Sequence, residues 1–164
     1  MSTPAVAADI RRVGVVGCGL MGAGIAEVCA RAGLDVVVHE VSPEAAEAGR
    51  TRIAASLDRG VRRGKLSGAE RDAALHRVRV VTDLGGLADR DLVVEAATED
   101  EKVKVALFAE LDRIVTCENA LLASNTSSLP IMKLGMATAR PHQVIGVSST
   151  RSRCWTWSRS CRHC

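Results

Sequence analysis

The chain has 164 residues, of which 47% are hydrophobic and 25% charged, and its formal net charge is +3. This length is typical of one domain with a real core, and so small a charge gives no case for a nucleic-acid partner. The first ten residues lack a basic region followed by a long apolar run, and no apolar run approaches the roughly 18 residues of a membrane span. We therefore expect no secretory signal, no membrane contact and a cytoplasmic location.

A strand, a helix and a second strand open the chain. Short β-branched runs predict buried strands over 13–16 and 35–39, and the segment between them predicts a helix over 20–31 that stops before Gly33. This order is a βαβ unit, which implies a parallel sheet. We therefore expect an α/β fold with a Rossmann-type, doubly wound and mostly parallel sheet.

Two helices are predicted before the third strand, over about 43–63 and 68–76, with a break at Gly64. Ser67 and Glu70 have the spacing of a capping box at the start of the second helix. A crossover needs less chain than this, so we expect the pair to project from the sheet as a hairpin. The remaining predicted elements are strands over 78–81, 92–94, 120–123 and 144–147 and an amphipathic helix over 100–116.

A glycine motif joins the first strand to the first helix. Gly17, Gly19 and Gly22 form a G-x-G-x-x-G pattern, in which the first glycine makes a tight turn, the second lets a pyrophosphate approach the backbone, and the third lets helix and strand pack closely. Glycines also mark ordinary turns, but between a strand and a helix the pattern favours dinucleotide binding.

Glu40 ends the second predicted strand, 18 residues after Gly22. A carboxylate there can accept hydrogen bonds from the adenosine ribose and would repel the extra phosphate of NADP, so NAD is the expected cofactor. The alternative is an acidic residue that only caps the turn into the next helix.

Three segments together resemble the 3-hydroxyacyl-CoA dehydrogenases, including the bacterial 3-hydroxybutyryl-CoA type. They are 13–26 with the glycine motif, 91–96 followed by Glu99, and 123–128 with its Asn-Thr-Ser-Ser run. The predicted hairpin also fits this family, and the resemblance covers almost the whole body of the chain in order. It implies NAD-dependent oxidation of (3S)-3-hydroxyacyl-CoA to 3-ketoacyl-CoA.

The resemblance also implies a role for individual residues. Ser127 would hydrogen-bond the reacting 3-oxygen, and Ser56 and Arg63 on the hairpin would contact coenzyme A. Without the resemblance, Arg63 is better read as part of a solvated helix face, and Ser127 as a helix cap or turn residue. The residues implied for the cofactor are Gly17, Gly19, Leu20, Met21, Gly22, Ala23, Gly24, Glu40, Ala96, Glu99, Lys104 and Asn125.

The resemblance breaks at position 148. The family continues there with His-Phe-Phe-Asn-Pro-Val-Pro, whose His is the general base, but this chain has Ser148. The family also has a Glu farther along the chain that orients this His, but this sequence contains no Glu after Glu118. Residues 148–158 can be back-translated with codons that the genetic code permits. When the same bases are read in the frame that starts one base earlier, they encode Phe-Phe-Asn-Pro-Val-Pro-Val-Leu-Asp-Leu-Val, which is the family's continuation. We therefore expect a frameshift after Val147.

Two segments follow from this break. We expect an NAD-binding domain over 11–147 and a non-native, disordered tail over 148–164, with the all-helical second domain of the family missing and its homodimer doubtful. The tail cysteines match no standard zinc pattern, and we expect no metal site.

Two other functions stay open. A non-catalytic NAD-binding fragment or pseudogene product would bind NAD weakly at most and turn over no CoA thioester. A 3-hydroxyisobutyrate or 6-phosphogluconate type dehydrogenase would share the glycine motif, but Glu40, the hairpin and the Asn-Thr-Ser-Ser run argue against it.

Overall fold

The computed structural model describes residues 10–126 and 129–147, and in them the chain forms one parallel sheet of six strands. The spatial order of the strands is β3-β2-β1-β4-β5-β6, and every neighbouring pair is parallel. The order therefore reverses between β1 and β4, which is where doubly wound sheets bind their ligands. The strands are β1 (Arg12–Val16), β2 (Asp35–His39), β3 (Val78–Val81), β4 (Leu92–Glu95), β5 (Leu121–Ser124) and β6 (Val144–Gly146).

Five α-helices connect the strands and cover both faces of the sheet, which confirms the predicted Rossmann-type fold. On one face Ile25, Ile53 and Leu57 pack against the sheet, and on the other Phe108 and Leu134 do so. Two 3₁₀ turns, Leu84–Leu87 and Pro141–Gln143, complete the connections. The helices are α1 (Leu20–Arg31), α2 (Pro43–Arg62), α3 (Gly68–His76), α4 (Glu101–Ile114) and α5 (Ile131–Gly135).

The helical pair α2 and α3 packs at its base and is exposed at its turn. Ile53, Leu57 and Ala74 are buried in one core cluster with residues of α1 and the sheet, whereas the residues from Arg63 to Lys65 are exposed. Gly64 makes the turn with a φ of +66°, and both halves of the predicted capping box of α3 are present. The described helices include none long and apolar enough to cross a membrane.

The carboxyl ends of the central strands form one continuous row. Val16 pairs with both His39 and Glu95, and Glu95 pairs with Ser124. Residues that directly follow these positions must therefore lie side by side along one edge of the sheet. This edge carries the candidate site.

Candidate cofactor site

The loop between β1 and α1 is shaped by two glycines whose replacement by any larger residue would force the backbone around them to shift. Gly17 has a φ of +89°, and a Cβ added to it would lie 2.6 Å from the Cα of Ala97. A Cβ on Gly22 would lie 1.8 Å from the carbonyl oxygen of Gly17. The tight turn and the close packing of helix on strand predicted for the first and third glycines are thus confirmed.

The opposite side of this loop is open. A Cβ on Gly19 or Gly24 would meet nothing within 4 Å. Gly19 is the N-cap of α1 and provides no side-chain cap, and Leu20 beside it is 84% exposed. The first N–H groups of an α-helix have no acceptor within the helix, so these groups face open space with the positive end of the helix dipole behind them. Such an end binds phosphate groups, and the loop therefore fits a dinucleotide diphosphate.

Glu40 reaches across from the end of β2 to the same loop. Its Oε1 accepts a hydrogen bond from the backbone N–H of Cys18 at 2.5 Å, and its Oε2 accepts one from the N–H of Val41 at 3.3 Å. The carboxylate is therefore oriented by backbone N–H groups on the β2 side of the loop. Burial, reinforced by the Glu40 charge and opposed by Arg52, raises the pKa of the Cys18 thiol to about 11.

Ala96 and Asn125 extend this edge on the other side of the loop. The N–H of Ala96 donates to the carbonyl oxygen of Val16 at 2.8 Å, and the N–H of Asn125 donates to that of Glu95 at 3.3 Å. Both residues therefore lie just past the strand ends that flank the loop, as a residue lining a dinucleotide must. Glu99 lies exposed in the turn before α4.

Lys104 lies beneath the edge, and its ammonium group points into the protein. Its side chain is 3% exposed, and its Nζ contacts Oε2 of the fully buried Glu95 at 2.6 Å. The same Oε2 accepts a hydrogen bond from the hydroxyl of Ser124 at 2.8 Å. In this structure any influence of Lys104 on a bound cofactor therefore passes through Glu95.

Glu95 also fixes the turn that follows β4. Its Oε1 accepts hydrogen bonds from the N–H groups of Ala97 at 2.9 Å and Thr98 at 3.3 Å. Sequence reasoning missed this residue. The available signal was a charged residue at the end of the otherwise apolar strand Leu92–Glu95, together with a lysine on the buried face of the following helix.

The residues assigned to the substrate are not brought to this edge by any described contact. Ser56 is half-buried on α2, and Arg63 is exposed at the end of that helix. Ser127 and the tail over 148–164 lie outside the described residues. Within the part that is described, no group of three His, Cys, Asp or Glu side chains could hold a metal ion.

Comparison with known proteins agrees with this geometry. Residues 12–148 match the family model described as "3-hydroxyacyl-CoA dehydrogenase, NAD binding domain". Over 138 residues the chain is 56% identical to the 3-hydroxybutyryl-CoA dehydrogenase of Mycobacterium tuberculosis, and the match covers 84% of this chain and 48% of that protein. A match to the 3-hydroxyadipyl-CoA dehydrogenase of Escherichia coli is 41% identical, and it covers 85% of this chain and 29% of that protein.

Two solved structures are similar in the same way. The crystal structure of M. tuberculosis FadB2 has a TM-score of 0.84 at 55% identity, with 87% of this chain and 50% of that chain covered. The (S)-3-hydroxybutyryl-CoA dehydrogenase of Ralstonia eutropha has a TM-score of 0.82 at 44% identity, with 85% and 49% covered. The chain therefore spans about half the length of the M. tuberculosis and R. eutropha proteins that it matches.

Proposed function

Since the chain belongs to the family of NAD-binding domains of 3-hydroxyacyl-CoA dehydrogenases, we propose that its residues 11–147 bind NAD as the cofactor half of such an enzyme. The observation that carries this proposal is the open glycine loop at the start of α1, with the Glu40 carboxylate beside it. The reaction is the oxidation of a (3S)-3-hydroxyacyl-CoA to the 3-ketoacyl-CoA, and NAD supplies the hydride acceptor. We infer a cytoplasmic location.

In this proposal the backbone from Gly19 to Gly24 holds the diphosphate, and Glu40 accepts hydrogen bonds from the adenosine ribose. The geometry that supports this division is the order along the sheet edge. Glu40 follows β2, the loop follows β1, and Ala96 and Asn125 follow β4 and β5. The adenosine half therefore lies over β1 and β2, and the reacting half lies over β4 and β5.

The substrate assignment rests on three residues. Ser127 comes three residues after β5 in the sequence and would hydrogen-bond the 3-oxygen of the acyl chain. Arg63 is an exposed cation at the turn of the helical hairpin, where it suits the phosphates of coenzyme A, and Ser56 lies two turns before it on the same helix. These roles would make the hairpin the coenzyme A side of the cleft.

A second candidate function is favoured by the residue at position 148. The general-base His of the family is replaced there by Ser148, and without a base the removal of the hydroxyl proton slows by a factor of about 10²–10⁴. The chain would then be an NAD-binding domain without turnover of its own. This candidate shares the cofactor site and differs only in activity.

The cofactor site is tested by titrating purified protein with NADH and following its fluorescence. We expect saturable binding by the natural chain and at least about tenfold weaker binding by Gly22→Ala, because the added Cβ would displace the carbonyl of Gly17 from the loop. Gly68→Ala is the matched control, since a Cβ there meets nothing within 4 Å and Gly68 lies far along the chain in α3. No binding at millimolar NADH by folded protein would refute the proposed function.

The two candidate functions are separated by turnover. The consumption of NADH in the presence of acetoacetyl-CoA is followed with the same protein preparation. A rate typical of a dehydrogenase shows that the chain is catalytic despite Ser148, whereas saturable NADH binding without turnover supports the non-catalytic domain.

A further inference from the structure

We propose that Arg52 is a second determinant of nucleotide selectivity, placed to bind a 2′-phosphate, so that the charge of Glu40 alone keeps the site selective for NAD. The inference rests on the proposed function, because it concerns the adenosine end of the same cofactor site. Selectivity then depends on Arg52 as well as on the glycine motif and Glu40.

Arg52 and Glu40 hold the same residue of the loop from two sides. The guanidinium Nη1 of Arg52 donates to the carbonyl oxygen of Cys18, and Oε1 of Glu40 accepts from the N–H of Cys18. A positive and a negative side chain therefore meet at one loop residue, at the end where Glu40 receives the adenosine ribose. Both charges also act on the Cys18 thiol, with opposite signs.

Arg52 is brought there by the close approach of α2 to the loop. Gly49 lies one helical turn earlier, and a Cβ at that position would be 2.6 Å from the Cβ of Cys18 and 2.8 Å from its Sγ. The absence of a side chain at Gly49 thus lets the helix pass against the loop. The next turn of the same helix face then carries the guanidinium over the loop backbone.

The guanidinium of Arg52 has donors to spare. Across residues 10–126 and 129–147 it has no carboxylate partner and makes the one hydrogen bond to Cys18, and its residue is exposed. A guanidinium carries five N–H donors, and its fork matches the oxygens of a phosphate group. A cation near the ribose is the device by which Rossmann sites accommodate a 2′-phosphate. In this site such a cation lies beside the Glu40 carboxylate, which repels the same phosphate.

The two side chains therefore pull selectivity in opposite directions. The Glu40 carboxylate accepts from the ribose hydroxyls of NAD and repels the dianionic 2′-phosphate of NADP, whereas Arg52 attracts that phosphate. Removing the Glu40 charge while keeping its shape should therefore reveal the Arg52 preference. Arg52 should act on selectivity, so that its loss changes the ratio of the NADPH and NADH affinities more than it changes the affinity for NADH.

The test compares the dissociation constants of NADH and NADPH for the natural chain, Glu40→Gln, Arg52→Gln and the double variant. Glu40→Gln should shift the ratio toward NADPH by about tenfold or more, the effect of one charge-assisted hydrogen bond. The double variant should lose that gain. Glu40→Gln combined with Arg59→Gln should keep it, because Arg59 is another exposed cation, two turns farther along α2.

The ratio of affinities separates this proposal from the proposed function. If the natural chain binds NADH but the ratio is unchanged in Glu40→Gln, or the gain survives in the double variant, Arg52 has no specificity role. If folded natural chain binds neither dinucleotide, the cofactor site itself is refuted. Thermal melting identifies variants that do not fold. Should Glu40→Gln and the smaller Glu40→Ser both fail to fold, Arg52→Gln alone must still weaken NADPH binding more than NADH binding.

Discussion

The buried pair of Lys104 and Glu95 offers the sharpest test of how this site is built. We consider Lys104→Met, which keeps the length and apolar stem of the side chain and removes its ammonium group. In the natural chain the Nζ lies 2.6 Å from Oε2 of Glu95, and the two side chains are 3% and 0% exposed. The substitution therefore leaves a carboxylate in the core with no cation beside it.

The loss of stability in Lys104→Met depends on which hydrogen bonds Glu95 keeps. Its oxygens still accept from the Ser124 hydroxyl and from the N–H groups of Ala97 and Thr98, but none of these donors carries a charge. Breaking a buried ion pair by removing one partner costs about 3–5 kcal/mol. This is a large share of the 5–15 kcal/mol or so that stabilises a typical domain, and it corresponds to a fall in Tm of roughly 6–20 °C for a chain of this size.

The assay is thermal and urea unfolding of Lys104→Met beside a matched control, Lys133→Met. Lys133 also pairs with a glutamate, Glu101, but those side chains are 57% and 48% exposed, and a pair so exposed contributes about 0–1 kcal/mol. Adding Glu95→Gln to Lys104→Met should recover part of the loss, because a neutral amide still accepts from the turn and needs no cation. Equal, small losses from the two lysine variants would contradict the burial argument.

Two further predictions concern single residues of the described structure. Cys18 should react with iodoacetamide at pH 8 at least about 100-fold more slowly than a thiol of ordinary pKa, because its pKa of about 11 leaves little thiolate; peptide mapping that finds it labelled as fast as in unfolded protein would contradict this. The Asp91 pKa is lowered, since hydrogen bonds from Arg12 and the neighbouring backbone outweigh the opposing effect of burial. Asp91→Asn should therefore cost about 1 kcal/mol at neutral pH, and the loss should disappear as acid titrates the native carboxylate, so a constant loss down to pH 2 in urea unfolding would be the wrong result.

Most of the fold could be predicted from the sequence because each element carries its own local signal. Runs of valine predict β1 and β2 to within one residue, and the Ser67–Glu70 pair predicts the start of α3. The 3₁₀ turns and α5, of three to five residues each, were missed because such short elements show no periodicity.

The end of α4 shows a different limit. Its helical pattern runs to 116, but the helix ends at Ile114, and the N–H of Thr116 instead donates to the carbonyl oxygen of Ala88 at 2.9 Å. A contact with a distant segment thus replaces the last helical bonds. Such replacement depends on tertiary packing, which a local pattern does not contain.

In the candidate site, too, the residues with a local sequence signal could be predicted and those that depend on tertiary packing could not. The glycine motif and Glu40 could be found because a helix start, a tight turn and a strand end are local features. The roles of Glu95 and Arg52 could not, since each depends on which elements pack together. Glu95 meets a lysine nine residues later only because α4 packs on β4, and Arg52 meets the loop only because α2 passes over it.

Glu95 and Lys104 together explain why the loop can present its backbone to an anion. The rear of the loop is the turn after β4, because a Cβ on Gly17 would lie 2.6 Å from the Cα of Ala97, and Glu95 holds that turn through two backbone N–H groups. A carboxylate next to the proposed phosphate site would weaken anion binding if its charge were uncompensated. Lys104 compensates that charge from inside the protein, where it takes no space at the open edge. The ion pair therefore stabilises the buried Glu95 that holds the turn and preserves the positive potential at the start of α1. Lys104→Met should accordingly lower both the stability of the domain and that potential.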